Sequence, residues 1–522
     1  MKASDLLVRC LEAEGVEYIF GIPGEETIDL MDSLTRSSIR FVLTRHEQGA
    51  AFMADAYGRL TGKPGVCLAT LGPGATNLVT GVANAHLDNS PMIAITSQAA
   101  TTRLHKESHQ NIDTIKLFNG ITKYNQQIVS ASTIPEIIRK SFAHAVAESA
   151  GAVHLQLPAD VAKEEIEASP LPVKRQAASS PDPISLFHAS SLIAGAKKPI
   201  VLAGNGVIRS HAAVQLLKFI EKANLPLVHT YMAKGILPFD HPNNLFTVGG
   251  TSGADCLLPL LEADLIVAVG YDLVEYDPVV WNEDSSRKVL NIHTVPAETD
   301  THYPVALDLV GDIRNSLETL TAAVLRRPDI ASFVSLREQR IDEMLQMPED
   351  QELPRSVMRT LSETLPEDAI VIADVGLHKV WVSRWYQPKA PGRTIIYNGF
   401  ASMGASLPAA ISAGLVRPQS QIIVVSGDGG FLMNAQELET AKRLGLVITI
   451  IIFNDQRLSL IEKHQREASL AVTQTTFTNP DFQLFAHSFG AEHRRASNAK
   501  EFAQALQEAL ESGNLNLLEI VL

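Results

Sequence analysis

The sequence predicts an α/β protein made of three doubly wound parallel-sheet domains. Short apolar segments alternate with helical stretches along the chain, and this alternation is typical of parallel sheets covered by helices. Two segments interrupt the alternation, at residues 167–184 and 326–355. The length of 522 residues also suits about three domains of roughly 100–200 residues each. We therefore predict domains at residues 1–166, 185–325 and 355–522.

The predicted strands are short apolar segments. They occupy residues 18–20, 66–70, 92–96, 199–203, 265–270, 289–293, 370–374, 421–426 and 447–453. The segment 167–184 is rich in Pro, Ser and Ala, which favours a linker. The segment 326–355 is charged and contains Pro354 near its end. We expect it to be partly helical and to join two domains rather than to pack against them.

Composition limits the classes of partner. Hydrophobic residues make up 45% and charged residues 20%, as in an ordinary soluble globular protein. The net charge of −14 disfavours nucleic acid and anionic membranes, because both require a basic face. Cys10, Cys67 and Cys256 form neither a metal-binding spacing nor a disulfide framework. With no signal peptide and no apolar run of about 18 residues, these features predict a cytoplasmic protein.

Two predicted strands each end at a carboxylate. Gly427-Asp428-Gly429-Gly430 follows the strand at 421–426, and Asn454-Asp455 follows the strand at 447–453. A helix is predicted between them, at 435–444. Ligands of open parallel sheets bind at the carboxyl ends of strands, and magnesium is often held by one or two carboxylates plus phosphate oxygens. The glycines allow close approach of the backbone, so we predict a site for a metal–diphosphate cofactor rather than an ordinary turn.

These two motifs resemble the signature of thiamin diphosphate (ThDP) enzymes, in which Gly-Asp-Gly is followed one strand later by Asn-Asn or Asn-Asp. The resemblance implies that Asp428 and Asp455 bind magnesium through their carboxylates and that Arg457 binds it through its backbone carbonyl. It also implies that Gly427, Gly429 and Gly430 contact the cofactor. Motifs this short can arise by chance, but here strand, helix and second strand occur in the expected order.

Glu47 is the predicted catalytic carboxylate. It begins a small-residue helix in the string Arg45-His46-Glu47-Gln48-Gly49. One interpretation is a carboxylate that stabilises the start of a helix. The string also resembles the catalytic-glutamate motif of ThDP enzymes. In that family the glutamate hydrogen-bonds a pyrimidine ring nitrogen and favours the imino form, which takes the proton from the thiazolium carbon. Gly24, in the turn after the strand at 18–20, is implied to lie near the cofactor.

Four further residues are assigned by resemblance. The segment 108–113 resembles one that places a glutamine over the reacting carbon, so Gln110 is a catalytic candidate; the alternative is a solvated loop amide. Gly376 and His378 resemble residues of a diphosphate-contacting loop. Met403 resembles the residue beneath the thiazolium ring that forces ThDP into its bent shape, although a lone Met is usually a core residue.

The three predicted domains match the pyrimidine-binding, central, and diphosphate- and magnesium-binding domains of ThDP enzymes. The chain is most similar to acetolactate synthases of the catabolic type, which do not bind FAD. The segment 270–278 carries that similarity in the central domain, where Gly204-Asn205-Gly206 is only weak support for a nucleotide. ThDP and magnesium are therefore the expected cofactors, and FAD is not expected.

The resemblance implies a carboligase. It would decarboxylate a 2-oxo acid such as pyruvate and join the fragment to a second carbonyl, giving 2-acetolactate or a related hydroxy-keto acid. A 2-oxo acid decarboxylase or aldehyde lyase is an alternative, but His105 and His109 are not the adjacent pair typical of pyruvate decarboxylases. A non-catalytic regulatory protein of this fold is a third interpretation. In the family the two cofactor-binding domains meet across a subunit interface, which implies a homodimer or homotetramer.

Overall fold

In a computed structural model, residues 1–173, 178–249, 254–345 and 352–522 are described. They form three six-stranded sheets that follow one another along the chain. Every pair of adjacent strands is parallel, and α-helices connect most successive strands. The predicted fold class is therefore confirmed. Among the described residues, no helix is both long and apolar enough to cross a membrane.

The first sheet contains six strands and is accompanied by seven α-helices. Its strands are β1 (Tyr18–Gly21), β2 (Arg40–Leu43), β3 (Gly65–Ala69), β4 (Met92–Gln98), β5 (Tyr124–Gln127) and β6 (Ala152–Pro158). Its helices are α1 (Ala3–Ala13), α2 (Ile28–Leu34), α3 (Glu47–Thr61), α4 (Pro73–Leu87), α5 (Thr114–Phe118), α6 (Ile134–Val146) and α7 (Ala159–Lys163). Small buried residues line α3, which lets α4 pack closely against it.

The central sheet is formed by β7 (Pro199–Ala203), β8 (Leu227–His229), β9 (Asn244–Thr247), β10 (Leu265–Val269), β11 (Lys288–His293) and β12 (Val305–Val310). Its helices are α8 (Pro183–Gly195), α9 (Asn205–Arg209), α10 (Ala213–Ala223), α11 (Leu258–Glu262), α12 (Ile313–Ala323) and α13 (Ala331–Leu345). Phe333 and Leu336 of α13 are buried in the central core. The prediction that 326–355 joins without packing is therefore wrong for α13, because these two residues form an apolar face one helical turn apart.

The third sheet is formed by β13 (Ile370–Ala373), β14 (Thr394–Ile396), β15 (Ile422–Gly427), β16 (Ile448–Asn454), β17 (Glu492–Ala496) and β18 (Asn516–Val521). Its helices are α14 (Glu352–Thr364), α15 (Leu377–Trp385), α16 (Ser406–Val416), α17 (Asp428–Met433), α18 (Leu438–Arg443), α19 (Ser459–Glu467), α20 (Phe482–Ser488) and α21 (Ala499–Ser512). The predicted helix at 435–444 is a 3₁₀ turn at Ala435–Glu437 followed by α18, and the glycine-rich motif itself opens α17.

The strand orders show where each sheet has a crevice at its edge. The first sheet has the order β2-β1-β3-β4-β6-β5, and the third repeats it as β14-β13-β15-β16-β18-β17. The central sheet has the order β9-β8-β7-β10-β11-β12. In each sheet the order reverses beside the first strand of the domain, between β1 and β3, β7 and β10, or β13 and β15. Loops diverge at such a point and leave a crevice beyond the strand ends.

The first and third domains of one chain share a hydrophobic core. Helix α3 packs against α16, and the rings of Phe52 and Tyr397 lie 6.4 Å apart. The central domain has separate apolar clusters of its own. The predicted linkers lie partly outside the described residues, at 174–177 and 346–351. The exact domain boundaries therefore stay predictions.

Candidate active site

A cavity of about 120 Å³ lies where the strand order of the third sheet reverses. The loops after β13 and β15 form one side, and residues 453–461, after β16, form the other. Nine residues predicted from the sequence line this cavity: Gly376, His378, Met403, Gly427, Asp428, Gly429, Gly430, Asp455 and Arg457. All of the predicted site residues of the third domain are thus brought together.

Asp428 is held firmly at the end of β15. Its side chain is 1% exposed. One oxygen accepts the N–H of Gly429 at 2.8 Å, and the other accepts the N–H of Gln456 at 2.8 Å. The Asn479 amide donates to the second oxygen at 2.7 Å and also to Asn454 Oδ1 at 2.9 Å. These bonds fix the carboxylate with respect to the loop that carries Asp455.

Asp455 is the second carboxylate of the cavity. Burial raises the pKa of this carboxyl, and the nearby charge of Asp428 raises it further. Ser459 donates a short hydrogen bond to Asp455, and the Arg457 N–H donates one of 3.2 Å. A buried carboxyl whose proton affinity is raised by a neighbouring carboxylate also provides a favourable site for a cation.

The donor set fits magnesium bound together with a diphosphate. Among the described residues, no group of three or more His, Cys, Asp or Glu side chains could hold a metal. Asp428 and Asp455 therefore leave coordination positions for a backbone carbonyl, water and phosphate oxygens. This is the usual arrangement for magnesium, which is commonly bound by one or two carboxylates and a phosphorylated ligand.

Among the described residues, His378 provides a buried polar atom without a hydrogen-bond partner beside the cavity. Its ring is 5% exposed, and burial lowers its pKa to about 4, so the imidazole is neutral at pH 7. Within the described ranges, Nε2 has no hydrogen-bond partner. Gly376 has φ +155°, and a Cβ there would lie 2.6 Å from His378 Cε1. Glycine at this position therefore leaves the ring its place beside the cavity.

The Met403 loop is fixed by Asp374, whose role the sequence did not indicate. Asp374 is fully buried, and its carboxylate accepts the Gly404 N–H at 2.9 Å and the Ser406 hydroxyl at 2.6 Å. Because Asp374 follows β13, it ties the Met403 loop to the strand end that also leads to Gly376. Met403 itself is half-buried and lines the cavity.

The three predicted site residues of the first domain form a second group. Glu47 is the first residue of α3 and is 8% exposed; Asn77 donates to its Oε2 at 2.9 Å. A Cβ at Gly74 would lie 3.3 Å from Glu47 Oε1, so the start of α4 covers the carboxylate. Gly24 lies against Thr70, where a Cβ would come within 2.4 Å of that side chain.

Gln110 lies at the same end of the first sheet. It is exposed and has φ +56°. Its backbone is close to Gly72, because a Cβ at Gly72 would lie 2.7 Å from the Gln110 carbonyl oxygen. The turn 72–74 thus lies between Gln110 and Glu47, in contact with both. These first-domain residues do not line the third-domain cavity of the same chain.

Comparison with known proteins agrees with this architecture. Residues 1–117 match the N-terminal TPP-binding domain of thiamine pyrophosphate enzymes, thiamine pyrophosphate being another name for ThDP. Residues 186–320 match the central domain of these enzymes, and residues 374–520 match their C-terminal TPP-binding domain. The three matches occur in the order of the three sheets.

Relatives resemble this chain along almost its whole length. A probable acetolactate synthase large subunit of Methanocaldococcus jannaschii is 35% identical, with 100% of this chain and 92% of the relative covered. Acetolactate synthase of Bacillus subtilis is 34% identical, with 99% and 93% covered. A catabolic acetolactate synthase of Raoultella terrigena is 33% identical, with 97% and 92% covered. The chain therefore belongs to the thiamine pyrophosphate enzymes and is a ThDP-dependent enzyme of the acetolactate synthase type.

Proposed function

We propose that the protein is a ThDP- and magnesium-dependent carboligase. It decarboxylates a 2-oxo acid, with pyruvate as the first candidate, and joins the remaining fragment to a second carbonyl to give 2-acetolactate or a related hydroxy-keto acid. The observation that carries this proposal is the cavity in which nine predicted cofactor and metal residues meet. The names of the relatives support the choice of reaction.

The third domain holds the cofactor in this proposal. Asp428, Asp455 and the backbone carbonyl of Arg457 would hold magnesium, which would neutralise charge on the diphosphate of the cofactor. His378 is neutral at pH 7, so it offers the diphosphate an N–H without a charge when Nε2 carries the proton. Met403 supports the thiazolium ring from below. The bound cofactor supplies the electron sink for decarboxylation.

Glu47 and Gln110 act from the first domain. The Glu47 carboxylate holds a proton at the pyrimidine ring nitrogen of ThDP, and its burial keeps water away from that contact. Gln110 donates from its amide to the carbonyl oxygen of the substrate. The apolar residues Leu458, Leu460 and Ile461 line the cavity and are placed to contact the substrate side of the cofactor.

We further propose a homodimer or homotetramer whose active site lies between two chains. The cavity is lined by third-domain residues, whereas Glu47 lies at the end of the first sheet. A second chain that brings its Glu47 to this cavity would complete the site. Exposed apolar side chains near the cavity loops, Phe400 at 41% and Met433 at 52%, are suitable for burial in such an interface.

The central domain is proposed to function without FAD. In dinucleotide-binding domains with this strand order, the pyrophosphate lies at a helix N-terminus beside the point where the order reverses. Here Glu275 occupies that place: its carboxylate accepts the Asn205 N–H at 2.9 and 3.1 Å, at the start of α9. Glu275 also accepts from the Thr230 hydroxyl at 2.5 Å and the Asp272 N–H at 3.1 Å. An acidic side chain of the protein thus takes the donors that a pyrophosphate needs.

Net charge limits the classes of partner, and the state of the cysteines supports a cellular location. A net charge of −14 argues against nucleic acid and anionic membranes as partners. The three cysteines are free and buried, which suits the reducing environment of the cytoplasm.

Product analysis tests the reaction. Purified protein is incubated with ThDP, magnesium and pyruvate, and then with a panel of 2-oxo acids and aldehydes. We expect two pyruvates to be consumed for each carbon dioxide released, with 2-acetolactate as the product. Free acetaldehyde as the main product would establish a decarboxylase instead. Tight binding of ThDP without turnover on any substrate would favour a regulatory protein.

Complementation tests the shared site. Chains carrying Glu47→Gln and chains carrying Asp428→Ala are each expected to be inactive. A mixed dimer has one site in which both residues are intact, so activity should return after subunit exchange, which mass-tagged chains can verify. A fully active monomer, or verified exchange without recovered activity, would contradict a site built from two chains.

A further inference from the structure

The residues on both sides of Glu47 are held by the third domain of the same chain. Glu437 Oε1 accepts the backbone N–H of Arg45 at 3.0 Å and that of His46 at 3.1 Å. The Asn434 amide donates to Gln48 Oε1 at 3.1 Å. These bonds span about 390 positions of sequence and converge on the short segment that carries Glu47.

Glu437 is a buried carboxylate with a defined environment. It is 0% exposed, and its second oxygen accepts the Thr440 hydroxyl at 2.6 Å. Burial raises the pKa of this carboxyl, whereas its hydrogen bonds with Thr440, Arg45 and His46 lower it. A Cβ at Gly49 would lie 2.7 Å from Oε1, so glycine at that position leaves room for the carboxylate. The first-domain segment therefore leaves a space that the Glu437 carboxylate fills.

Domain packing alone does not account for this arrangement. The first and third domains already share an extended apolar core through α3 and α16. Burying a carboxylate is unfavourable unless its hydrogen bonds are satisfied, so an apolar side chain would be the simpler means of adding packing. Instead, Glu437 Oε1 accepts hydrogen bonds from the two backbone N–H groups directly before Glu47, and these bonds fix the backbone there.

We propose that Glu437 and Asn434 are positioning residues that set the location of the Glu47 carboxylate. This inference rests on the proposed role of Glu47. Proton transfer to a cofactor nitrogen depends on alignment, and a displacement of about 1 Å can cost on the order of 100-fold in rate. Glu437 and Asn434 touch no reacting atom, and they influence Glu47 through the residues next to it.

The same two residues connect Glu47 to the cofactor-binding loops of its own chain. Asn434 directly follows α17, the helix that begins at the metal ligand candidate Asp428. The Asn434 amide also donates to the Gly404 carbonyl at 2.8 Å, next to Met403. One side chain thus contacts both the Glu47 segment and the Met403 loop. The position of Glu47 consequently depends on contacts with these third-domain loops as well as on the first domain.

The test compares Glu437→Ala with Glu437→Gln in the full-length protein. Alanine removes the acceptor, whereas glutamine keeps an oxygen for the two backbone N–H groups and an amide that can donate to Thr440. Three quantities are measured: turnover, magnesium-dependent ThDP affinity by calorimetry, and deuterium exchange at the reactive thiazolium carbon of bound ThDP by quenched-flow NMR. Glu47→Gln is the reference for loss of proton transfer. Glu511→Gln, on the exposed face of α21, is the matched control.

For Glu437→Ala we expect deuterium exchange to slow by about 10–100-fold while ThDP affinity stays within about threefold, as expected for lost alignment. Glu437→Gln should restore exchange to near the wild-type rate, and Glu511→Gln should leave it unchanged. Wild-type exchange in the alanine variant would overturn the proposal. A glutamine variant as slow as alanine, or an alanine variant that loses affinity in equal measure, would also overturn it.

A second variant keeps the proposal testable if Glu437→Ala does not fold. Gln48→Ala removes the Asn434 contact on the other side of Glu47 without changing the buried third-domain residues, and unchanged exchange in this variant would count against positioning. The assay also separates this inference from the proposed reaction. Release of aldehyde in place of acetolactate would refute the carboligase but leave the exchange comparison valid. Unchanged exchange in Glu47→Gln would refute the proposed role of Glu47 itself, and with it the positioning role of Glu437 and Asn434.

Discussion

The Glu47→Gln variant separates stability from catalysis in this site. In the folded chain, Glu47 Oε2 accepts one hydrogen bond, of 2.9 Å, from Asn77. Glutamine has nearly the same shape and keeps an oxygen that can accept this bond. The free energy of unfolding should therefore change by no more than the value of one hydrogen bond, about 0.5–1.5 kcal/mol. Loss of a negative charge at the start of α3 adds about 0.3–1 kcal/mol.

The expected effect on turnover is much larger. A neutral amide cannot hold the proton at the pyrimidine nitrogen, and acid–base assistance of this kind is worth about 10²–10⁴-fold. This corresponds to about 3–5 kcal/mol of lost transition-state stabilisation. The variant should still bind ThDP, because the residues proposed to hold the diphosphate and metal lie in the third domain.

The assay measures acetolactate formation, ThDP affinity by calorimetry and the midpoint of thermal unfolding on the same preparation. Glu12→Gln, which makes the same chemical change on the surface of the first domain, is the control; Glu12 accepts hydrogen bonds from Ser38. Activity of Glu47→Gln within threefold of wild type would refute the assignment. A large loss of stability that accompanies the loss of activity would mean that Glu47 acts mainly in folding.

Three further predictions concern the other domains. Asp428→Ala should lose magnesium-dependent ThDP binding in calorimetry, whereas Cys67→Ala, a change in a buried strand, should retain it; equal affinities would contradict the metal site. Glu275→Ala leaves three donors unpaired and should lower the free energy of unfolding by about 3 kcal/mol or more, whereas Glu275→Gln should lower it much less in the same urea titration; equal losses would contradict the hydrogen-bonding role. Burial lowers the pKa of Lys234 to about 7 from its model-compound value of 10.5, so between those values the unfolded chain holds more protons and stability rises with pH. Urea titrations from pH 6 to pH 10 should show that Lys234→Met removes a slope of about 1.4 kcal/mol per pH unit, and parallel curves for wild type and variant would contradict this.

Most interior strands could be predicted from the sequence, but the interior strands β6, β8 and β18 and the edge strands are not among the predictions. All nine predicted strands correspond to interior strands of the three sheets. The edge strands β5 and β17 have partly exposed, polar sequences with no apolar run, as in Tyr124–Gln127, and β2 has only the short apolar stretch 41–43. An edge strand is covered less completely than an interior one, so its hydrophobic pattern is weak although its hydrogen bonds are regular.

The site residues also divide into those that were predicted from the sequence and those that were not. The third-domain residues were assigned by resemblance to the motifs of ThDP enzymes, and most of them lie in loops directly after strands, which the strand order brings together. Asn479, Glu437 and Glu275 were not predicted. Asn479 meets Asp428 across 51 positions, and Glu437 meets His46 across 391. No local pattern indicates contacts at such separations, because they depend on how whole elements pack.

The three domains illustrate why a fold alone does not specify a function. Each has a parallel sheet whose strand order reverses at a comparable place, where a crevice forms beyond the strand ends. In the third domain the crevice is lined by glycines and two carboxylates that suit a metal diphosphate. In the central domain the Glu275 carboxylate accepts the backbone N–H groups of Asn205 and Asp272 at this place. The first domain places a carboxylate, Glu47, at this end of the sheet. Similar backbones thus lead to three chemical outcomes, and the difference lies in the few side chains at each strand end.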